Sequence, residues 1–335
     1  MSHPDRRWTY FAALGVIVTA WAVVLTVRGE WADVFGQWEY ALTMAFGSFV
    51  AGSTPAGGGA VAFPVLTKVL DDPPEKAKAF SLMIQSVGMS MATVLILSRR
   101  IKLIPLVILW VSIGGALGQI LGVIAPLPPM TARLLFTAIA AVFGVALAIN
   151  RWALKAKTDH SFEVSDIGRV LVMLIVGLVG GYIASAVGSD INLLTFIVLT
   201  LAYGVDEKFA IPTAVVIMAI NAVFWVVLHL GLAGIGATPI LDDPSLWHAW
   251  LAAVPIVAMG APLGSWFASV VKRDLLVAFL FLLILVEVVS SLVILGPRFQ
   301  SQDWLFIVGS VAVSVVWFWA MHRYRNKTRP QDFVS

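Results

Sequence analysis

The chain has 335 residues, 60% of them hydrophobic and 12% charged, with a net charge of +3 and no cysteine. A soluble domain carries about 25% charge, so the composition excludes a soluble globular protein, and the apolar runs are too continuous for an alternating β-barrel. The missing thiol excludes disulfides, thiolate chemistry and cysteine-bound metal, which leaves an all-α polytopic membrane protein.

In chain order, Arg6-Arg7 lead into the apolar run from Trp8 to Val27. That run is nearly of span length and ends without a small-x-small cleavage site, so it is read as a first transmembrane helix at 8–28 rather than a signal peptide. The next apolar stretch, 40–70, is too long for one crossing. Spanning helices are then predicted at 79–98, 103–124 and 131–150, followed by a polar, charged linker at 151–167. A second overlong stretch, 168–203, precedes helices at 208–230, 247–271, 274–295 and 304–321, with an external loop at 232–246. As helices the two long stretches would reach about 45 and 55 Å, against a hydrocarbon core of about 30 Å.

Both stretches carry a break, and the two breaks belong to an internal duplication. Phe49-Val-Ala-Gly-Ser-Thr-Pro-Ala-Gly-Gly-Gly-Ala-Val-Ala-Phe-Pro-Val-Leu66 matches Tyr182-Ile-Ala-Ser-Ala-Val-Gly-Ser-Asp-Ile-Asn-Leu-Leu-Thr-Phe-Ile-Val-Leu199 at an offset of 133. Gly114-Gly-Ala-Leu-Gly118 likewise matches Gly260-Ala-Pro-Leu-Gly264. Each long stretch either crosses at a steep tilt or enters, turns at its break and leaves on the same side. If both turn back and the N-terminus is cytoplasmic, sixteen of the 22 basic residues face the cytoplasm, against thirteen if both cross. The positive-inside rule favours the hairpins. Each repeat is then one re-entrant hairpin plus three transmembrane helices, 40–150 and 168–296, with 8–28 and 304–321 as one extra helix at each end. Three crossings invert the second copy, so one hairpin dips in from each face and both chain termini are cytoplasmic. Paired broken helices in an inverted repeat point to a carrier whose site lies at the midplane.

Several residues carry chemistry in that frame. Gly57, Gly58 and Gly59 allow positive φ and close backbone approach, and a half-helix starting near Ala60 would aim free N–H groups and its positive dipole end into the cavity. Such an end binds anions without a basic side chain, and Ser53 and Thr54 add hydroxyls. A plain turn or small-residue helix packing is the alternative. In the second break, Asp190 is an intramembrane carboxylate suited to a coupling proton or a cation such as Na⁺, with Asn192 beside it. Ser189 or Asp190 could equally cap the second half-helix. An ionised Asp190 would repel an anion, so an anion carrier needs it protonated or paired. Gln85 and Ser86, and Asn221 in the second repeat, lie mid-span and either coordinate substrate or bridge helices. Glu287 is a second deep carboxylate, either a further proton site or a group tied to a structural partner. No Lys or Arg falls mid-span, so a bound anion would rely on dipoles, amides and hydroxyls. There is no Walker A sequence, no His-Glu-x-x-His and no Ser-His-Asp set at one depth, so neither an enzyme nor a metal or cofactor site is expected.

The small-residue stretch Gly57-Gly-Gly-Ala-Val-Ala-Phe-Pro64, and Gly188-Ser-Asp-Ile-Asn-Leu-Leu-Thr-Phe196 continuing through Tyr203-Gly-Val-Asp-Glu-Lys208 and Ile211-Pro-Thr-Ala-Val-Val-Ile-Met-Ala-Ile-Asn221, resemble the sulfite exporter TauE/SafE family over roughly 40–297. The resemblance implies a bacterial inner-membrane permease for small sulfur-containing anions, such as sulfite or an organosulfonate like sulfoacetate. Ser189-Asp190 replaces the glycine cluster of the commoner second repeat, which makes Asp190 the expected place for specificity or coupling. The expected function is a secondary transporter, an exporter with the substrate between the two tips and a proton or Na⁺ as its companion. A passive anion channel and a non-transporting membrane scaffold are the alternatives.

Overall fold

The computed structural model describes residues 7–55, 57–128, 130–131, 134–135, 137–138, 141, 144, 162, 164, 166–188, 191–236 and 240–328. The described residues form an all-helical protein with α1 Arg7–Arg28, α2 Trp31–Gly36, α3 Trp38–Ser53, α4 Gly59–Lys68, α5 Pro74–Ser98 and α6 Pro105–Ile124. After the linker follow α7 Ile167–Val187, α8 Ile191–Ile197 running into a π turn at Val198–Ala202, α9 Glu207–Gly234, α10 Pro244–Val270, α11 Arg273–Leu295 and α12 Ser301–Thr328. Six of these, α1, α5, α6, α7, α9 and α10, are long and apolar enough to cross a membrane.

The helix starts follow from sequence. Pro74, Pro105 and Pro244 each open a helix at its first turn, where the missing N–H has no partner to lose. Asp166, Asp206 and Asp243 cap α7, α9 and α10, accepting from the N–H of Arg169 (3.0 Å), Lys208 (2.8 Å) and Ser245 (2.9 Å). The start of α5 at Pro74 rather than 79 has this cause: hydropathy marks where a helix becomes apolar, whereas the proline marks where it begins. The short α2 was not expected from the sequence. Most of the predicted helix 131–150 and of the linker 151–167 lies outside the described residues, although Leu134, Leu135, Thr137, Ala138, Ala141 and Gly144 are helical.

Both overlong stretches double back. In the first, Val61 of α4 lies against Gly47 of α3, and beyond α4 Asp72 accepts a 2.6 Å hydrogen bond from the Tyr40 hydroxyl at the start of α3. Lys76 donates to the same hydroxyl (2.8 Å) and pairs with Asp72 (3.1 Å), closing the base. In the second, Ile191 packs on Gly180, and the Tyr203 ring returns to the Arg169 guanidinium, 6.0 Å away, near the start of α7. A residue near each hairpin's beginning therefore meets one just past its end.

The hairpins are held by glycine-lined contacts with helices of the other half. A Cβ on Gly114, Gly118 or Gly177 would collide with the carbonyl oxygen of Leu174, Leu178 or Val111, so α6 and α7 run backbone to backbone. Gly52 and Gly264 do the same between α3 and α10, against the carbonyls of Ala261 and Phe49. Without a hydrophobic drive between helices in lipid, such close approach supplies the association through dispersion and weak Cα–H···O contacts. The two matched glycine motifs thus do the same job in each half, each clasping the first arm of the opposite hairpin. At the centre, α5 and α9 are buried along much of their length. By contrast α1 is mostly exposed, joined to α10 by Trp21 Nε1 donating to the Leu251 carbonyl (2.8 Å) and by the Tyr10 hydroxyl donating to that of Ala258 (3.3 Å).

Candidate functional site

The tips of the two hairpins meet beside Gln85. Gly57 has φ +73°, a conformation that favours glycine, and it turns the chain into α4. Among the described residues no side chain caps α4, so its first-turn N–H groups stand at the tip. A Cβ on Gly57 would lie 2.9 Å from Asn192 Nδ2, 3.2 Å from Gln85 Oε1 and 3.5 Å from Asn192 Oδ1. Gly188, at φ +90°, ends α7 with its N–H on the Ala184 carbonyl (2.8 Å). Its own carbonyl accepts from Gln85 Nε2 at 2.7 Å.

Gln85 is oriented by these bonds. Its Nε2 donates to the carbonyls of Ser81 (2.6 Å) and Gly188 (2.7 Å), which leaves Oε1 facing Gly57. Gln85 and Asn192 are each only 1% exposed, and among the described residues Gln85 Oε1 and Asn192 Oδ1 have no partner. Two buried acceptors and a helix N-terminus therefore converge on one spot, an arrangement that costs free energy unless a ligand or water completes it.

The other sequence-predicted residues divide. Ser53 and Thr54 are fully buried at the end of α3, with their hydroxyls donating back to the Val50 carbonyl (3.3 and 2.9 Å). Gly58 precedes α4 and Gly59 is its first residue. Ser86 turns its hydroxyl to the Met83 carbonyl (2.7 Å) rather than to the tips. Asn221 serves the α6–α9 contact: its Nδ2 donates to Ile217 (3.1 Å), its backbone carbonyl accepts from Gln119 Nε2 (3.1 Å), and Gly115 makes room for its side chain. Gln119 was missed by the sequence reading; a lone amide in the glycine-rich helix 105–124 was the available signal. Ser189 and Asp190 lie outside the described residues.

Glu287 has found its partner, and that partner corrects one expectation. Lys68, one of the six basic residues that the hairpin orientation leaves outside, ends α4 with its side chain only 6% exposed and pairs with Glu287 at 3.3 Å. A buried cation is therefore present after all. The sequence hid it because a lysine one turn past a Pro inside a broken helix looks like the end of the segment. Lys68 Nζ also donates to Ser290 (3.1 Å) and Ser291 (3.0 Å), and Glu287 Oε1 accepts from Ser291 (2.9 Å) and Thr137 (3.3 Å). The pair borders a largely apolar cavity of about 290 Å³ between α3, α4 and α11. Its wall reaches Leu193, the chain neighbour of Asn192 at the tips.

No curated protein and no solved structure matches the chain. The sulfite exporter TauE/SafE family model matches residues 40–291, from the base of the first hairpin almost to the end of α11. That stretch holds both hairpins, both glycine clasps and the meeting of the tips, and leaves out α1 and the C-terminal helix. The chain therefore belongs to the sulfite exporter TauE/SafE family, a family of membrane transporters for sulfur-containing anions.

Proposed function

We propose that the protein is a secondary transporter that exports a small sulfur-containing anion, sulfite or an organosulfonate of the sulfoacetate kind, held where the two hairpin tips meet. The observation that carries this reading is the convergence of Gly57, Gln85, Gly188 and Asn192 on one buried spot at the N-terminus of α4. The helix end supplies donors for oxyanion oxygens. The amide oxygens of Gln85 and Asn192, unpartnered among the described residues, accept from a proton carried by the substrate or from its water, or coordinate a companion cation such as Na⁺.

The inverted repeat belongs to the same reading. Lys76 near the start of α5 joins the base of the first hairpin, while Ile104, just past the end of α5, donates to the Thr213 hydroxyl near the start of α9 and the second hairpin's base. This supports hairpins entering from opposite faces of a cell inner membrane, with rocking of the repeats exposing the tips alternately. Asp190, in the second break, and Glu287 are the proposed coupling carboxylates. An anion leaving a negative-inside cell as an uncompensated charge gains about 2.3 kcal/mol per charge per 100 mV; a monoanion that leaves with a single proton gains nothing from the potential.

Counterflow of labelled sulfite and sulfoacetate in proteoliposomes tests the proposal. Saturable, trans-stimulated uptake is expected, and fast flux without trans-stimulation would replace the carrier with an anion channel.

A further inference from the structure

We propose that Lys68 and Glu287 form a second oxyanion station, where the substrate takes the place of the Glu287 carboxylate on Lys68 and a proton moves onto Glu287. The inference rests on the reading that the chain carries small oxyanions, and it adds a site and a stoichiometry to it.

The geometry is that of an oxyanion cradle holding a carboxylate of the protein itself. Around Glu287 Oε1 stand the Lys68 ammonium (3.3 Å), the Ser291 hydroxyl (2.9 Å) and the Thr137 hydroxyl (3.3 Å). Ser290 joins on the Lys68 side at 3.1 Å. These groups are mounted on three separate segments: α4, α11 and the helical residues around Thr137. Among the described residues the charged group against Glu287 is Lys68; the other neighbours are these hydroxyls, with Phe46 and Val50 of α3 and Leu193 of α8 on the apolar wall. Hydroxyls rotate and both donate and accept, so the same set serves a carboxylate or a three-oxygen anion.

Stability alone does not explain the pair. Desolvating two charges offsets most of their attraction, and an apolar pair of similar volume holds helices together as well or better. Ionisable groups at this depth mark substrate or proton paths. Beside the pair lies an apolar groove of about 290 Å³ along α4 and α11, roomy enough for a small oxyanion, and its wall includes Leu193, the chain neighbour of Asn192.

Charge balance then fixes the coupling. Counting the described residues, the site is neutral with Lys68 and Glu287 both ionised. An added monoanion leaves a buried net negative charge, which is costly in this apolar surround. Neutrality returns when Glu287 takes up a proton and yields Lys68 to the anion. One anion and one proton therefore occupy the station together, and the apparent affinity falls as pH rises.

Methanesulfonate, whose charge is fixed between pH 5 and 8, is the probe, because any pH dependence then comes from the protein. Calorimetric titration of the purified full chain is expected to show affinity falling tenfold per pH unit wherever Glu287 is ionised in the free protein. Glu287→Gln is expected to bind at least as tightly as the wild type at low pH and to lose the tenfold-per-unit slope. Lys68→Gln is expected to lose at least tenfold in affinity, and Lys68→Arg to recover most of it. The double variant Lys68→Gln/Glu287→Gln leaves no unpaired charge and is expected to keep the wild-type size-exclusion profile while losing affinity. Wild-type protein that transports sulfite yet binds methanesulfonate without pH dependence, or not at all, would overturn the station and leave the carrier reading intact. So would a Lys68→Gln variant of undiminished affinity or a Glu287→Gln variant that keeps the pH slope. Absence of sulfite counterflow by the wild type would overturn both readings.

Discussion

Gln85 holds the two hairpins in register. Its two amide hydrogens tie α5 to itself and to the turn of the second hairpin, and its oxygen is offered to the turn of the first. Gln85→Leu would leave the Gly188 carbonyl buried without its donor, at a cost of about 1–3 kcal/mol. The expected outcome is a lower melting temperature in detergent and loss of anion counterflow; a variant with normal flux would remove Gln85 from the site. Gly57→Ala meets two obstacles, a left-handed φ and a Cβ 2.9 Å from Asn192 Nδ2. It is expected to cost about 1–3 kcal/mol in backbone strain and to abolish binding of the transported anion, measured by equilibrium titration. At this scale the sequence was partly legible: glycines after Ser-Thr-Pro and an amide at mid-span are visible as types. Which atom of the amide faces the tip is not, because that is set by carbonyls 4 and 103 residues away in the chain.

Helices that lack a hydrophobic reason to associate are paired here by the smallest residues. The clasp of α6 on α7 uses Gly114, Gly118 and Gly177, and the clasp of α3 on α10 uses Gly52 and Gly264. Gly177→Leu is expected to force these backbones apart and yield protein that aggregates on size-exclusion chromatography. Gly309→Leu in α12, where a Cβ has nothing within 4 Å, is expected to leave elution and flux unchanged. The glycine motifs were recognised from the sequence as a repeated pair. Their partners were not, because each motif clasps the other half of the chain rather than its own. The two hairpins also differ in a way their alignment does not show: the second arm of the latter ends in a π turn at Val198–Ala202, whereas α4 ends on Lys68 and its ion pair.

For the whole molecule, the proposed orientation makes a direct prediction, and the absence of cysteine makes it easy to test. Single cysteines introduced by Asp71→Cys, beside the first hairpin's base, and Arg99→Cys, past the far end of α5, are expected to lie on opposite faces. In intact cells an impermeant maleimide should modify Asp71→Cys alone; modification of Arg99→Cys alone would mean that the first segment crosses rather than returns. Burial of Lys68 bears on the charge argument as well, since it withdraws one of the six basic residues that the hairpin orientation had left outside.

The chain by itself determined that the protein is helical and lies in a membrane, and that each of its two overlong apolar stretches is broken once. These properties are written in composition, length and local spacing, and lipid permits few backbone solutions for them. Only the tertiary structure decided that the breaks face one another across Gln85, that the backbone carbonyl of Asn221 accepts from Gln119, and that Lys68 is drawn inside to Glu287. Each of these joins residues more than 100 positions apart, and their pairing depends on how closely the glycine-lined helices approach, a distance that no local pattern encodes.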